Sequence, residues 1–221
     1  MVNTTLIFSG GLAPSDATLN RVRKISNVNQ IIAADSGLHI AQKLNLKVDV
    51  VIGDMDSVDA DCLALAISDG AKIVRHDRDK DFTDLQSAIL HAANEFASQR
   101  IIIVTAGGGR LDHQFGVLAA MFHPSLREIS VEALWENSHI FAMQGPKSLE
   151  ITTQIGDIIG LQSFSNRSEQ ITTTGLRWQL NAESLTNFET RGVSNESTAT
   201  QVSVSFSSGQ LLVVHHERQP K

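Results

Sequence analysis

A chain of 221 residues, 42% hydrophobic and 19% charged, is composed like an ordinary globular protein and is long enough for two modest domains with their own cores. No stretch approaches the roughly 18 uninterrupted apolar residues of a membrane span, and a formal charge of -6 argues against a nucleic-acid binder, which would present a basic face. The single cysteine, Cys62, excludes an internal disulfide and, with no Cys or His neighbours at ligand spacing, a zinc site; a buried helix thiol in a reducing compartment is expected.

In chain order, the opening "MVNTTLIFSGG" lacks a basic segment leading into a long apolar run, so no secretion signal is read and a cytoplasmic location is expected. "TLIFSG", "QIIAADSG", "VDVVIGD", "AKIVRHD", "RIIIVTAGGG" and "SVEALWE" are short Val/Ile-rich runs closed by Gly, Asp or Ser, the pattern of buried parallel strands. Helices are predicted between them at about 16–26, 37–45, 59–69, 82–98 and 111–122. Strand and helix in alternation imply a parallel sheet covered on both faces. From about Asn137 the texture changes: "SHIFAMQ", "KSLEITT", "DIIGLQSFS", "EQITTTGLRWQL", "TQVSVSFSSG" and "QLLVVHHE" alternate apolar with polar residues, as in a small antiparallel sandwich or barrel. The expected division is an α/β domain over 1–142 and an all-β domain over 143–221, hinged at "MQGPKS". "RGVSNESTATQ" reads as a long polar loop.

Ligands of parallel α/β sheets sit beyond the carboxyl ends of the strands. Every acidic motif here falls at such an end: Asp35, then Asp54 and Asp56, then Asp77, Asp79, Asp81 and Asp84, then Asp112. Each has a plain local alternative, since Asp81 can cap the helix after it and Asp56 or Ser57 the helix entered near Asp59. Converging carboxylates nevertheless repel, so positive charge must sit among them. Arg75, Arg78 and Lys80 are interleaved with the acids, and a hydrated Mg²⁺ suits two or three carboxylates completed by water and phosphate oxygens. In an extended stretch Asp54 and Asp56 point the same way, and Asp81 and Asp84 share a helix turn, so four carboxylates are expected to meet one ion. His76, His139, His215 and His216 are scattered and read as structural or solvated. "TAGGGRLDHQFG" runs from a strand through three glycines into a helix, an arrangement open to phosphate, with Arg110 at its edge.

"ADSG" at 34–37, "GDMDS" at 53–57, "KDFTD" at 80–84 and "GGRLDH" at 108–113, in this order, closely resemble the thiamine pyrophosphokinase (thiamine diphosphokinase) family; "GLRWQL" at 175–180 and "GVSNE" at 192–196 are similar to its thiamine-side motifs. The resemblance implies a Rossmann-like α/β domain, a C-terminal β-sandwich and a homodimer with active sites between subunits. It implies transfer of a pyrophosphoryl group from ATP to the hydroxyl of thiamine, releasing AMP. By the same likeness Asp54, Asp56 and Asp84 hold Mg²⁺, and Asp56, Asp81 and Asp84 are the catalytic carboxylates. Asp35 stands close by, Lys80 and Thr83 face the reacting ends, and Arg110, Asp112 and His113 meet the nucleotide. The likeness also puts Trp178, Ser194 and Asn195 on thiamine, although from residue type alone Trp178 reads first as core. Many relatives have asparagine where this chain has Val117, which bears on the nucleotide contact. A transferase acting on another alcohol and a non-catalytic thiamine or nucleotide sensor are the alternatives.

Overall fold

The computed structural model describes residues 2–105 and 110–218, so Gly107, Gly108 and Gly109 of the expected phosphate loop lie outside the described residues. The chain forms two compact units, Met1–Glu136 and Asn137–Lys221. The expected break between 142 and 143 falls inside a strand, Ser138–Gln144, that pairs along its length with Gln210–His216. The boundary therefore lies where the sequence texture changes, and "MQGPKS" is a turn within the second unit.

The first unit alternates β1 (Thr4–Ser9), α1 (Asp16–Arg23), β2 (Val28–Ala34), α2 (Gly37–Lys43), β3 (Val50–Gly53), α3 (Ala60–Ser68), β4 (Lys72–Arg75), α4 (Asp84–Asn94), β5 (Arg100–Thr105), α5 (Leu111–Met121) and β6 (Ser130–Trp135). Among the described residues its strands hydrogen-bond in the order β6-β5-β1-β2-β3-β4, every neighbour parallel. The continuous apolar runs explain this arrangement, because β1 and β5 are buried nearly throughout and so need helices on both faces. The chain runs outward from β1 to β4 and then returns to β5 on β1's other side. The strand order thus reverses between β1 and β5, the place where such sheets open a crevice.

Helix starts follow local chemistry. Ser15 caps α1 by accepting from the Thr18 amide, and Thr83 caps α4 by accepting from the Gln86 amide at 3.2 Å. The capping residue of α4 is therefore Thr83, not Asp81, and the helix begins at Asp84 rather than Phe82. Cys62 lies half-buried on α3, where burial and the Asp59 carboxylate push its thiol up, away from reactivity. A bidentate pair, Arg100 Nε and Nη2 to Glu132 at 2.7 and 2.8 Å, ties β5 to β6.

Gly37 explains one motif glycine by close approach. A Cβ there would stand 2.1 Å from the Phe8 carbonyl oxygen, so α2 can start against β1 only without a side chain. Gly37→Ala is expected to cost about 3 kcal/mol as the backbone is forced apart. In a thermal melt this reads as a fall in Tm of about 6–12 °C; an unchanged Tm would show that α2 shifts freely off β1.

The second unit contains β7 (Ser138–Gln144), β8 (Lys147–Thr152), β9 (Ile158–Ser163), β10 (Arg167–Thr174), β11 (Glu183–Thr186), β12 (Asn195–Glu196), β13 (Gln201–Phe206) and β14 (Gln210–His216). The order is β12-β9-β14-β7 in one antiparallel set and β11-β10-β13-β8 in another. Alternating residues of both sets, among them Ile159, Leu161 and Val213 with Ile171, Val202 and Val204, form one buried cluster. No helix among the described residues is long and apolar enough to cross a membrane.

Candidate active site

Two adjoining clefts of about 340 and 360 Å³ open at the carboxyl ends of the first unit's strands. The loop after β1 (Ser9, Gly10, Gly11), the α4 start (Thr83, Leu85) and His113 line both. The first continues to Thr105, Arg110 and Val117, so it straddles the β1/β5 reversal; the second continues to Asp35, Ser57 and Asp84. Ser9, Gly10 and Gly11 were not among the expected site residues. Their signal was the glycine pair directly after the first strand in "FSGG".

Carboxylate oxygens of Asp35, Asp54 and Asp56 lie within 4.8 Å of one another. The β2–β3 register brings Asp35 level with this group, since Ala34 pairs with Ile52 and the Asp35 amide donates to the Ile52 carbonyl at 2.8 Å. Asp54 and Asp56 do meet, but not through extended backbone. Met55 has φ +67°, and the resulting tight turn lets the Asp56 amide donate to Asp54 Oδ1 at 3.0 Å. That amide, helped by Lys80 and Arg78, holds the Asp54 carboxyl below its ordinary value against the opposing effect of burial. Asp84 stands across Gly53 from Asp35: a Cβ on Gly53 would lie 3.3 Å from Asp35 Cβ and 3.4 Å from Asp84 Cγ.

The four-carboxylate expectation needs correction at Asp81. It precedes the cap of α4, is exposed and stands outside the group, because the helix turn that was to align it with Asp84 begins three residues later. Asp84 is likewise not among the carboxylates that lie within 4.8 Å of one another, and Asp35 joins Asp54 and Asp56 instead. The cations are partly where the interleaving put them. Lys80 Nζ stands 3.1 Å from Asp84 Oδ1 and Arg78 Nη2 3.6 Å from Asp56 Oδ2, the latter pair well exposed.

The residues fit a divalent ion on two observations. Opposite corners of an Mg–O octahedron are about 4.2 Å apart, so carboxylate oxygens within 4.8 Å of one another stand near enough to share one ion. Asp35 Oδ1 is also buried without a hydrogen-bond partner among the described residues, an arrangement that is costly unless a cation meets it, whereas Asp84 Oδ1 is met by Lys80.

Arg110 is engaged differently from expectation. Its fork grips Asp112, Nε to Oδ1 at 3.1 Å and Nη2 to Oδ2 at 2.5 Å, and this pairing holds the Asp112 carboxyl below its usual range. Both side chains are exposed, so the carboxylate occupies the guanidinium face that an incoming phosphate would need. Val117 is buried in the wall of the first cleft.

In the second unit Trp178 is 56% exposed and so is not core, with the Arg177 guanidinium 4.8 Å from its ring centroid. Asn195 is buried and spends its amide on protein: Oδ1 accepts from the Trp178 amide at 3.1 Å and Nδ2 donates to the Trp178 carbonyl at 2.6 Å. The side chain expected on a ligand therefore clamps the Trp178 loop. Ser194 beside it is exposed at φ +61°. His215, read as structural or solvated, is structural, buried 2.8 Å from Asp157.

Comparison with known proteins matches the thiamin pyrophosphokinase catalytic domain over residues 22–133 and the thiamin pyrophosphokinase vitamin B1 binding domain over residues 148–211. Thiamine pyrophosphokinase 1 of Arabidopsis thaliana is 32% identical over 152 residues, 64% of this chain and 55% of that protein. Thiamine pyrophosphokinase 1 of Oryza sativa subsp. japonica is 31% identical over 151 residues, 65% of this chain and 56% of that protein. The matched segments thus span a little over half the length of these curated relatives. Among solved structures, a thiamine pyrophosphokinase from Bacillus subtilis superposes with TM-score 0.83 at 24% identity, covering 98% of this chain and 100% of that one. One from Candida albicans gives 0.78 at 16% identity over 98% and 90%. These structural likenesses establish the fold: a helix-covered sheet followed by antiparallel β structure. With its catalytic-domain match running over half of the sequence, the chain belongs to the thiamin pyrophosphokinase family.

Proposed function

We propose that the protein is a thiamine diphosphokinase, in which a Rossmann-like domain binds ATP and a β-sandwich domain binds thiamine, working as a cytoplasmic homodimer with active sites between subunits. The observation that carries this reading is the gathering of Asp35, Asp54 and Asp56, with Asp35 lining the cleft that adjoins the one at the β1/β5 reversal, in a chain matching both family domains. In the reaction, the hydroxyethyl oxygen of thiamine attacks the β-phosphorus of ATP. A P–O bond forms there, the bond from the β-phosphorus to the bridging oxygen of the α-phosphate breaks, and AMP departs with the electron pair.

Asp54, Asp56 and Asp84 are the proposed metal ligands, with Asp35 added by its position. Mg²⁺ bound among them would neutralise the triphosphate and the charge developing on transfer. Lys80, beside Asp84, and Arg110, once exchanged from Asp112, are the cations for the phosphates, while Thr83 and His113 line the cleft for the transferring group. The alcohol proton passes through water to Asp56 or Asp84. Asp81 has no part in this reading, and Asn195 acts through Trp178.

The test is direct. With ATP, Mg²⁺ and thiamine, AMP and thiamine diphosphate should appear in equal amounts. Nucleotide binding without turnover overturns the reading, and AMP release with a different alcohol moves the acceptor. Trp178→Ala is expected to raise the KM for thiamine about tenfold, the loss of one stacking and cation–π face; an unaltered KM removes Trp178 from the site.

A further inference from the structure

Ser57 was a candidate helix cap, but the structure gives it a different partner. Helix α3 takes its cap from Asp59, whose Oδ1 accepts from the amides of Asp61 at 3.0 Å and Cys62 at 3.1 Å. The Ser57 hydroxyl instead donates to Asp35 Oδ2, on the loop that follows β2. Two residues on, the Asp59 amide donates to His39 Nε2 of α2 at 3.0 Å, a second tie between the segments that follow β2 and β3.

Asp35 is also fixed through its backbone. Its φ of +51° lies in the left-handed region that aspartate tolerates, and its amide is held by Ile52. Its Cβ sits against Gly53, where any added side chain would crowd it. The backbone therefore sets where the carboxyl group stands, while rotation about its last bond is left to hydrogen bonding. With Oδ2 taken by Ser57, Oδ1 is buried and has no hydrogen-bond partner among the described residues, in the carboxylate that groups with Asp54 and Asp56.

We propose that Ser57 is a positioning residue for the divalent-ion group: its hydroxyl fixes the rotation of the Asp35 carboxylate and so presents Oδ1 to the space shared with Asp54 and Asp56. The inference rests on the Mg²⁺ reading above. Groups that orient a metal ligand without touching the ion are typically worth 10- to 100-fold in metal affinity.

The experiment measures Mn²⁺ affinity by electron paramagnetic resonance on the full chain, in the presence of a non-hydrolysable ATP analogue, for wild type, Ser57→Ala, Ser57→Thr and Asp54→Asn. Ser57→Ala should weaken Mn²⁺ binding about 10- to 100-fold, and Ser57→Thr, which keeps the hydroxyl, should stay within about threefold of wild type. Wild-type affinity in Ser57→Ala, or a threonine variant no better than alanine, overturns the assignment of Ser57 alone, provided Asp54→Asn loses the ion. If wild type binds no Mn²⁺, or Asp54→Asn binds it unchanged, the metal reading falls and takes this inference with it.

Discussion

Replacing Asp54 with asparagine should lower kcat/KM for thiamine diphosphate formation by about 10³-fold, the scale on which a group stabilising transferred charge contributes. The substitution is nearly isosteric, and the asparagine carbonyl can still accept the 3.0 Å hydrogen bond from the Asp56 amide that shapes the turn at Met55. What disappears is one negative charge. The lowered carboxyl value of Asp54 means that this charge is present throughout the neutral range, so no change of pH within that range restores the variant. Steady-state rates measured alongside a thermal melt check the claim, with Asp61→Asn, an exposed acid on α3 outside the group, as the control expected to match wild type. An Asp54→Asn enzyme within tenfold of wild type would remove the acidic group from the chemistry.

The second large effect is on stability. Asp157 is buried just before β9, where Oδ2 accepts from the Gln154 amide and from His215 Nε2, both at 2.8 Å, and Oδ1 from the Arg218 amide at 3.0 Å. Alanine there strands the buried His215 ring and removes the acceptor of two part-buried amides, and the expected cost in urea unfolding is about 3 kcal/mol. Burial alone would raise this carboxyl, but the Arg218 and Gln154 amides and His215 outweigh it and hold it below the ordinary carboxylate range. A carboxyl whose folded value is depressed stabilises fully above its unfolded value, about pH 4, and loses that contribution as pH falls through the folded value. The stability gap between wild type and Asp157→Asn should therefore narrow below about pH 4. A gap indifferent to acid would mean that the buried group carries no charge.

Much of this architecture was legible because it is written in local chemistry. β1, β2 and β5 are unbroken Val/Ile-rich or alanine-rich runs ended by Ser, Asp or Thr, and the five helices of the first unit fall within a few residues of their expected spans. What was not legible depends on pairing at a distance. Glu183–Thr186 and Asn195–Glu196 are short and polar, and they are strands only because β10 and β9 offer them partners. Asp35 reads in isolation as one acid among many, and only the β2–β3 register sets it beside Asp54. The place of Asp81 was misread for the opposite reason. Helical spacing from Asp84 looked decisive, but Thr83 caps α4 and leaves Asp81 outside the helix. Trp178 lies in a stretch whose alternation resembles core, and nothing short of its exposure separates the two roles.

The reversal of strand order between β1 and β5 carries a consequence for how the working protein comes into being. Ser9, Gly10 and Gly11 come to share a cleft with Thr105, Arg110 and His113 only when Leu6, Ile7 and Phe8 zip against Ile102, Ile103 and Val104. A ribosome must therefore deliver roughly the first half of the polypeptide before the proposed nucleotide cradle exists. Because loop closure over that span precedes its reward, ATP supplied during refolding should leave the early collapse unaltered and accelerate nothing until the central strands have met.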